Sequence, residues 1–210
     1  MDIEDFFGCS SPILMLIHER SCFTTHQDWE ESIRLFLPLL DEYSYFFLQI
    51  RNKMHLSNQE YHSMISTMPF HPRILINIPS IFNSSLRRHR TEQELGSIGI
   101  SASIHSLEKG RQYQAQYQFF QFGPIFSPIS KEGQGCGLVA LSTIVNQLQK
   151  PIVAVGGITQ QNLFQVLDCS VFGVGVIGSI LHEKDPIGTA KEFLGLIQRY
   201  NNVNNNPQKR

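Results

Sequence analysis

The chain has 210 residues, 41% of them hydrophobic, which suits one large domain or two small ones with a substantial core. Seventeen Lys and Arg oppose 18 Asp and Glu, leaving a formal charge of −1. No basic excess points to nucleic acid or an anionic membrane, no acidic run to a solvating tail, and no apolar run reaches the roughly 18 residues that span a bilayer.

The N-terminus, Met1-Asp2-Ile3-Glu4-Asp5, is acidic where a signal peptide is basic. Cys9, Cys22, Cys136 and Cys169 match no Cys-x-x-Cys or zinc spacing, so the chain reads as a cytoplasmic protein with reduced thiols. A first apolar run, 12–17, predicts a strand. A helix over 28–40 follows, with Asp28 as its N-cap and Glu30 and Glu31 in its first turn. Next come a strand at 45–50, a helix at 57–67 opened by a Ser57/Glu60 capping box, and a strand at 73–78. The 18 residues from Pro79 to Gly96 leave room for one helix but not for helix, strand and helix. Their Leu86-Arg87-Arg88-His89-Arg90 cluster reads as a solvated basic helix end or, alternatively, as a cation cluster for a phosphate. Strands follow at 97–104, 117–123, 151–156 and 171–177. Helices follow at 138–149, 159–168 (opened by Thr159) and 186–200.

These seven strands are continuously apolar, as in a parallel sheet covered on both faces, and they alternate with helices. Repeated βαβ units result, and an open doubly wound sheet and a (β/α)8 barrel both fit. Residues 1–200 form a single domain in this reading, and 201–210 a disordered polar tail.

Candidate site residues lie at strand exits. Gly8 is the only glycine before Gly96; the later ones concentrate after strands. Gly156-Gly157 and Gly178 follow the last two strands, where barrels commonly bind phosphate through backbone N–H groups. The stretch Gly123–Gly137 holds Ser127, Ser130 and Lys131, two hydroxyls and a point charge, in a loop long enough to fold over a ligand. Gln49, Arg51 and Lys53 alternate at the second strand's exit and point to one side, which suits a polyanion. Asn77, Ser103 and His105 end two further strands.

Taken in order, the exits Gln49-Ile-Arg-Asn-Lys53, Ile76-Asn77, Ser103-Ile-His-Ser-Leu-Glu108, Phe122-Gly-Pro-Ile-Phe-Ser-Pro-Ile-Ser-Lys131, Val153-Ala-Val-Gly-Gly-Ile-Thr159 and Gly173-Val-Gly-Val-Ile-Gly-Ser-Ile180 resemble the thiamine-phosphate synthase/TenI family. The resemblance runs from about residue 12 to 195 and is strongest over 98–181. It implies a (β/α)8 TIM barrel, here with the β3–β5 region shortened and the fourth unit degenerate or missing. It implies a transferase that joins hydroxymethylpyrimidine diphosphate to thiazole phosphate and releases diphosphate. By position, Gln49, Lys53 and Asn77 with Arg51 would hold the pyrimidine diphosphate, and Ser103 would sit near the reacting centre. Ser127, Ser130 and Lys131 would face both phosphates. Gly156, Gly157, Ile177 and Gly178 would cradle the thiazole phosphate. Lys131, Ser103 and Arg51 would be the catalytic set. The partners implied are small phosphorylated substrates, with a homodimer left open.

The chain departs from the family at its metal. The resemblance implies Mg²⁺ on two aspartates, one directly after the third-strand Asn, where this chain has Ile78. Glu92 and Glu94 are the only nearby substitutes in the shortened stretch. The tautomerase branch also lacks those aspartates but carries a His after the sixth-strand Phe-Gly, where this chain has Pro124. A non-catalytic phosphate-ligand binder of the same family therefore stands beside the synthase, and a TenI-like tautomerase behind both.

Overall fold

The computed structural model describes residues 12–53, 56–67, 71–78, 87–127 and 134–204. Eight strands line up in parallel: β1 (Ile13–Glu19), β2 (Phe46–Arg51), β3 (Ile74–Asn77), β4 (His89–Arg90), β5 (Ser101–Ile104), β6 (Phe119–Phe122), β7 (Ile152–Val155) and β8 (Gly173–Val176). Their spatial order is β3-β2-β1-β8-β7-β6-β5-β4. The end strands β3 and β4 meet through a parallel bridge between Ile76 and Arg88, where the Ile76 N–H donates to the Arg87 carbonyl at 2.8 Å. The sheet thus curls into a nearly closed (β/α)8 barrel, and the doubly wound alternative falls away.

The helices are α1 (His26–Glu42), α2 (Asn58–Thr67), α3 (Leu107–Tyr113), α4 (Gly137–Gln147), α5 (Leu163–Leu167), α6 (Gly178–Leu181) and α7 (Pro186–Asn204). Strand alternation sorts the core into two layers. Ile13, Met15, Ile17, Phe47, Leu75, Phe119, Val153 and Phe172 fill the barrel. Leu14, Leu16, Leu48 and Ile76 turn outward, in one cluster with Trp29, Ile33 and Phe36 of α1 and with Phe193 and Ile197 of α7. Among the described residues no helix is long and apolar enough to cross a membrane.

Four expectations are corrected. The Pro79–Gly96 stretch holds a strand, β4, rather than only a helix, and its described remainder includes a 3-10 turn at Glu92–Glu94. The basic cluster is therefore no solvated helix end: His89 and Arg90 are buried, with Arg90 donating from Nε to the Ile98 carbonyl (2.8 Å) and pairing with Glu94 (3.2 Å). The N-cap of α1 is Thr25, whose hydroxyl accepts from the Asp28 N–H at 3.0 Å, while Asp28 accepts the Thr25 N–H in return. The N-cap of α5 is Asn162 rather than Thr159; its side chain accepts from the Thr159 N–H (2.8 Å) and donates to the Gly157 carbonyl (2.9 Å). The Ser57/Glu60 capping box before α2 stands as expected, with the Ser57 N–H and hydroxyl both on the Glu60 carboxylate.

Candidate active site at the strand exits

The inward positions at the C-terminal end of the barrel are polar, and each is placed by the two-residue period of its strand. Glu19 ends β1, Arg51 ends β2 beside it, and Asn77 ends β3 beside Arg51. Glu19 and Arg51 form an ion pair, Oε2 to Nε 3.2 Å, with side chains 9% and 23% exposed. Deeper in the barrel, Gln49 is buried and accepts a short hydrogen bond from Gln121 of β6. Gln121 also donates to the Met15 sulfur at 3.1 Å.

On the opposite wall His89 of β4 reaches across to β5. Its Nδ1 lies 2.8 Å from the Ser101 hydroxyl and its Nε2 2.9 Å from the Ser103 hydroxyl. Burial, reinforced by the positive charges of Arg51 and Arg90, pushes the imidazole down to about 3. The ring is therefore neutral, donating to one serine and accepting from the other. Ser103 is held in a fixed orientation by a residue for which the sequence offered no periodic signal.

The exits of β7 and β8 are shaped by glycine. Gly156 and Gly157 adopt φ of +94° and +64°, which L side chains rarely do. A Cβ on Gly157 would lie 2.7 Å from the Phe126 Cβ, so only glycine lets the β6 exit loop pack here. That loop is pinned to β7: Ile125 N–H donates to the Val155 carbonyl (2.9 Å) and Phe126 N–H to that of Gly156 (3.1 Å). Ser179 ties the neighbouring exit in, its hydroxyl donating to the Ile158 carbonyl at 2.6 Å.

Between these exits and β2 opens a cavity of about 930 Å³. Of the sequence-derived candidates it brings together Arg51, Lys53, Gly156, Gly157, Ile177 and Gly178. Gln49 and Ser103 lie on inward positions of their strands but do not line it, and nor does Asn77. Ser127 is exposed, its hydroxyl accepting from the Gly135 N–H at 3.4 Å. Ser130 and Lys131 lie outside the described residues. Glu92 accepts the His105 backbone N–H at 3.0 Å, and Glu94 accepts from Thr91 N–H (3.0 Å) and from Arg90. His105 Nδ1 lies 2.6 Å from the Gly123 carbonyl, which makes it a tie between two strand ends.

Glu19, Cys22 and His182 also line the cavity, though none was among the sequence-derived site candidates. Burial and the Glu19 charge, opposed by Arg51, push the Cys22 thiol up. His182 follows Gly178 by one helical turn, and that spacing was the available signal.

Residues 84–180 match a family model described as thiamine monophosphate synthase. The chain is 34% identical over 107 residues to a thiamine-phosphate synthase of Archaeoglobus fulgidus, covering 50% of each chain. It is 38% identical over 104 residues to one of Pasteurella multocida, covering 47% of each. The chain thus spans about half the length of the curated relatives it matches. A solved thiamine phosphate pyrophosphorylase from Pyrococcus furiosus superposes with a TM-score of 0.62 at 18% identity, over 89% of this chain and 96% of that one. A geranylgeranylglyceryl phosphate synthase from Thermoplasma acidophilum, solved with sn-glycerol-1-phosphate, gives 0.63 at 9% identity, over 95% and 99%. At such identities the structural likeness speaks for the barrel fold.

Proposed function

We propose that this chain, related over residues 84–180 to the thiamine monophosphate synthase family, is a transferase that joins a pyrimidine diphosphate to a thiazole phosphate. The observation that carries the reading is the 930 Å³ cavity, whose lining the left-handed Gly156-Gly157 exit and Gly178 share with Arg51 and Lys53. Two anion-binding subsites thus open onto one space. The glycine exits offer backbone N–H groups to the thiazole phosphate, and the β2 cations face the diphosphate.

In the reaction the bond between the pyrimidine methylene carbon and the diphosphate oxygen breaks, and its electron pair leaves with the diphosphate. The thiazole nitrogen then donates its pair to that carbon, giving thiamine phosphate and diphosphate. Little proton transfer is required, so the protein's work is positioning and charge stabilisation. Arg51 and Lys53 steady the charge growing on the leaving oxygen, and Lys131 is assigned the same work on sequence position alone. Ser103, oriented by His89, presents a hydroxyl on the inner wall. Gln49, fixed by Gln121, and Asn77 lie on inward positions beside Arg51 but outside the cavity lining, so their contact with the pyrimidine is assigned on sequence position alone.

Mg²⁺, which the family resemblance implies, does not fit the described residues. Ile78 stands where a carboxylate would follow Asn77 and is buried in the apolar layer outside the barrel. Glu92 and Glu94 are engaged by backbone amides and Arg90, and no cluster of three metal-ligating side chains occurs among the described residues. Charge neutralisation at the diphosphate accordingly rests on Arg51, Lys53 and Lys131. The same donor set favours a second reading, a binder of phosphate ligands that does not turn them over. Incubating the purified chain with both substrates, with and without Mg²⁺, and assaying thiamine phosphate decides between them. Product in either condition is expected. No product in either, with thiazole phosphate still bound, overturns the synthase in favour of the binder.

A further inference from the structure

A buried carboxylate lines this cavity, and binding two phosphorylated ligands has no use for it. Glu19 pairs with Arg51, and its side chain is only 9% exposed. Its place follows from the strand order, in which β1 stands between β2 and β8. On one side Glu19 lies in register with Arg51; on the other, Leu16 lies in register with Val176, the residue before Ile177 and Gly178. Ile17, two residues before Glu19, fills the barrel and lines the cavity too, so the strand period turns Glu19 toward the same space. A negative charge therefore sits between the exit that carries cations and the exit that ends in glycine. Glu183 and Glu192 also line the cavity, but both are exposed, where water and salt screen them. The Glu19 charge is felt in the open space: after burial, it is the next cause that pushes up the thiol of Cys22, another lining residue.

We propose that Glu19 is a catalytic residue whose carboxylate faces the carbon–nitrogen bond as it forms and stabilises the positive charge that develops there. The inference rests on the synthase reading above and adds a residue to it. As the carbon–oxygen bond breaks, its electron pair leaves with the diphosphate and the pyrimidine methylene carbon becomes positive. When the thiazole nitrogen donates its pair to that carbon, the charge passes to the ring, and the product carries a permanent thiazolium cation. Arg51 and Lys53 attract the departing diphosphate but repel this charge; Glu19 attracts it. A carboxylate already fixed in place needs no reorganisation at the moment of reaction. Arg51 contributes that fixation and partly offsets the charge, so the expected effects are about tenfold, below those of an unopposed buried charge.

The test compares two ligands of one shape: thiamine phosphate, and its analogue in which a neutral thiophene replaces the thiazolium ring. In calorimetry the unaltered chain should bind the cationic ligand about tenfold more tightly. In Glu19→Gln that preference should vanish, and in Glu19→Asp, which keeps the charge, most of it should remain. A carboxylate that only positions Arg51 would shift both ligands alike and leave their ratio unchanged. In turnover, Glu19→Gln should lower kcat about tenfold while KM for the pyrimidine diphosphate falls, because the substitution frees Arg51 for the anion. Equal binding of the two ligands by the unaltered chain overturns the inference without any variant having to fold. A Glu19→Gln variant, shown folded by thermal unfolding, that keeps the tenfold preference overturns it as well. Failure of the synthase reading shows separately, as absence of product from the unaltered chain, and takes the catalytic role with it even where the binding preference survives. If neither ligand binds, the cavity is not the phosphate site and the inference falls.

Discussion

Arg51 meets a carboxylate before it meets any ligand. Its Nε lies 3.2 Å from Glu19 Oε2 at the rim of the barrel, and only 7% of Glu19 is exposed. An anion arriving at the β2 side therefore competes with a charge already in place. Replacing Glu19 by Gln keeps the shape and removes the competitor. Diphosphate affinity, measured by calorimetry, should rise about fivefold, the size of one partly screened ion pair. The urea midpoint should fall, because the guanidinium loses its charged partner. Unchanged affinity would show that Arg51 does not reach the anion and would remove it from the proposed site. The same pair shows why residue identity alone misleads: Arg51 and Lys53 were legible as a cationic strand exit, but the carboxylate neutralising one of them sits 32 positions earlier on the neighbouring strand.

The elements show where sequence reasoning reached and where it stopped. Seven strands were legible because a strand covered on both faces must be apolar along its whole length. β4 was not: two residues carry no period, and both are polar. Their burial depends on Ser101, Ser103, Ile98 and Glu94, partners that only the closed barrel supplies. In the site, the glycine exits and the β2 cations meet in one cavity because strand exits share one end of any parallel barrel. The depth of Gln49 and the orientation of Ser103 were not legible, since each is set by a residue on another strand. Helix starts are subtler. Asp28 looked like the cap of α1, yet Thr25 occupies the cap and Asp28 answers it from the third helical position. Thr25→Ala should cost about 1 kcal/mol. In a chain of this size that lowers the melting temperature by about 3 °C in calorimetry. A neutral substitution would return the cap to Asp28.

At the scale of the whole molecule, the barrel buries neutral imidazoles on both sides of its wall. His89 lies within, and His18 lies outside between Ser32, Phe23 and Phe36, with Nε2 3.0 Å from the Ser32 hydroxyl. Burial pushes both down to about 3, against a small opposing backbone bond at His18 and with help from Arg51 and Arg90 at His89. An unfolded histidine titrates near 6.5, so below that pH the unfolded chain binds protons that the folded chain refuses. Stability is therefore full above pH 6.5 and drains as pH falls from 6.5 toward 3. Each histidine contributes a slope of about 1.4 kcal/mol per pH unit, so the pair gives about 3. His71, lowered by burial and by Arg73, adds in the same direction. The carboxylates of Glu42 and Glu60 are held below their usual range and act only further down, so the interval from pH 6.5 to 5 isolates the imidazoles. Urea midpoints at pH 7.5, 6, 5.5 and 5 should be flat above pH 6.5 and fall steeply below it. His18→Gln should remove close to half of that fall. A midpoint unchanged down to pH 5 would mean that the folded barrel accepts these protons, and the dry, neutral His89 holding Ser103 would have to be abandoned with it.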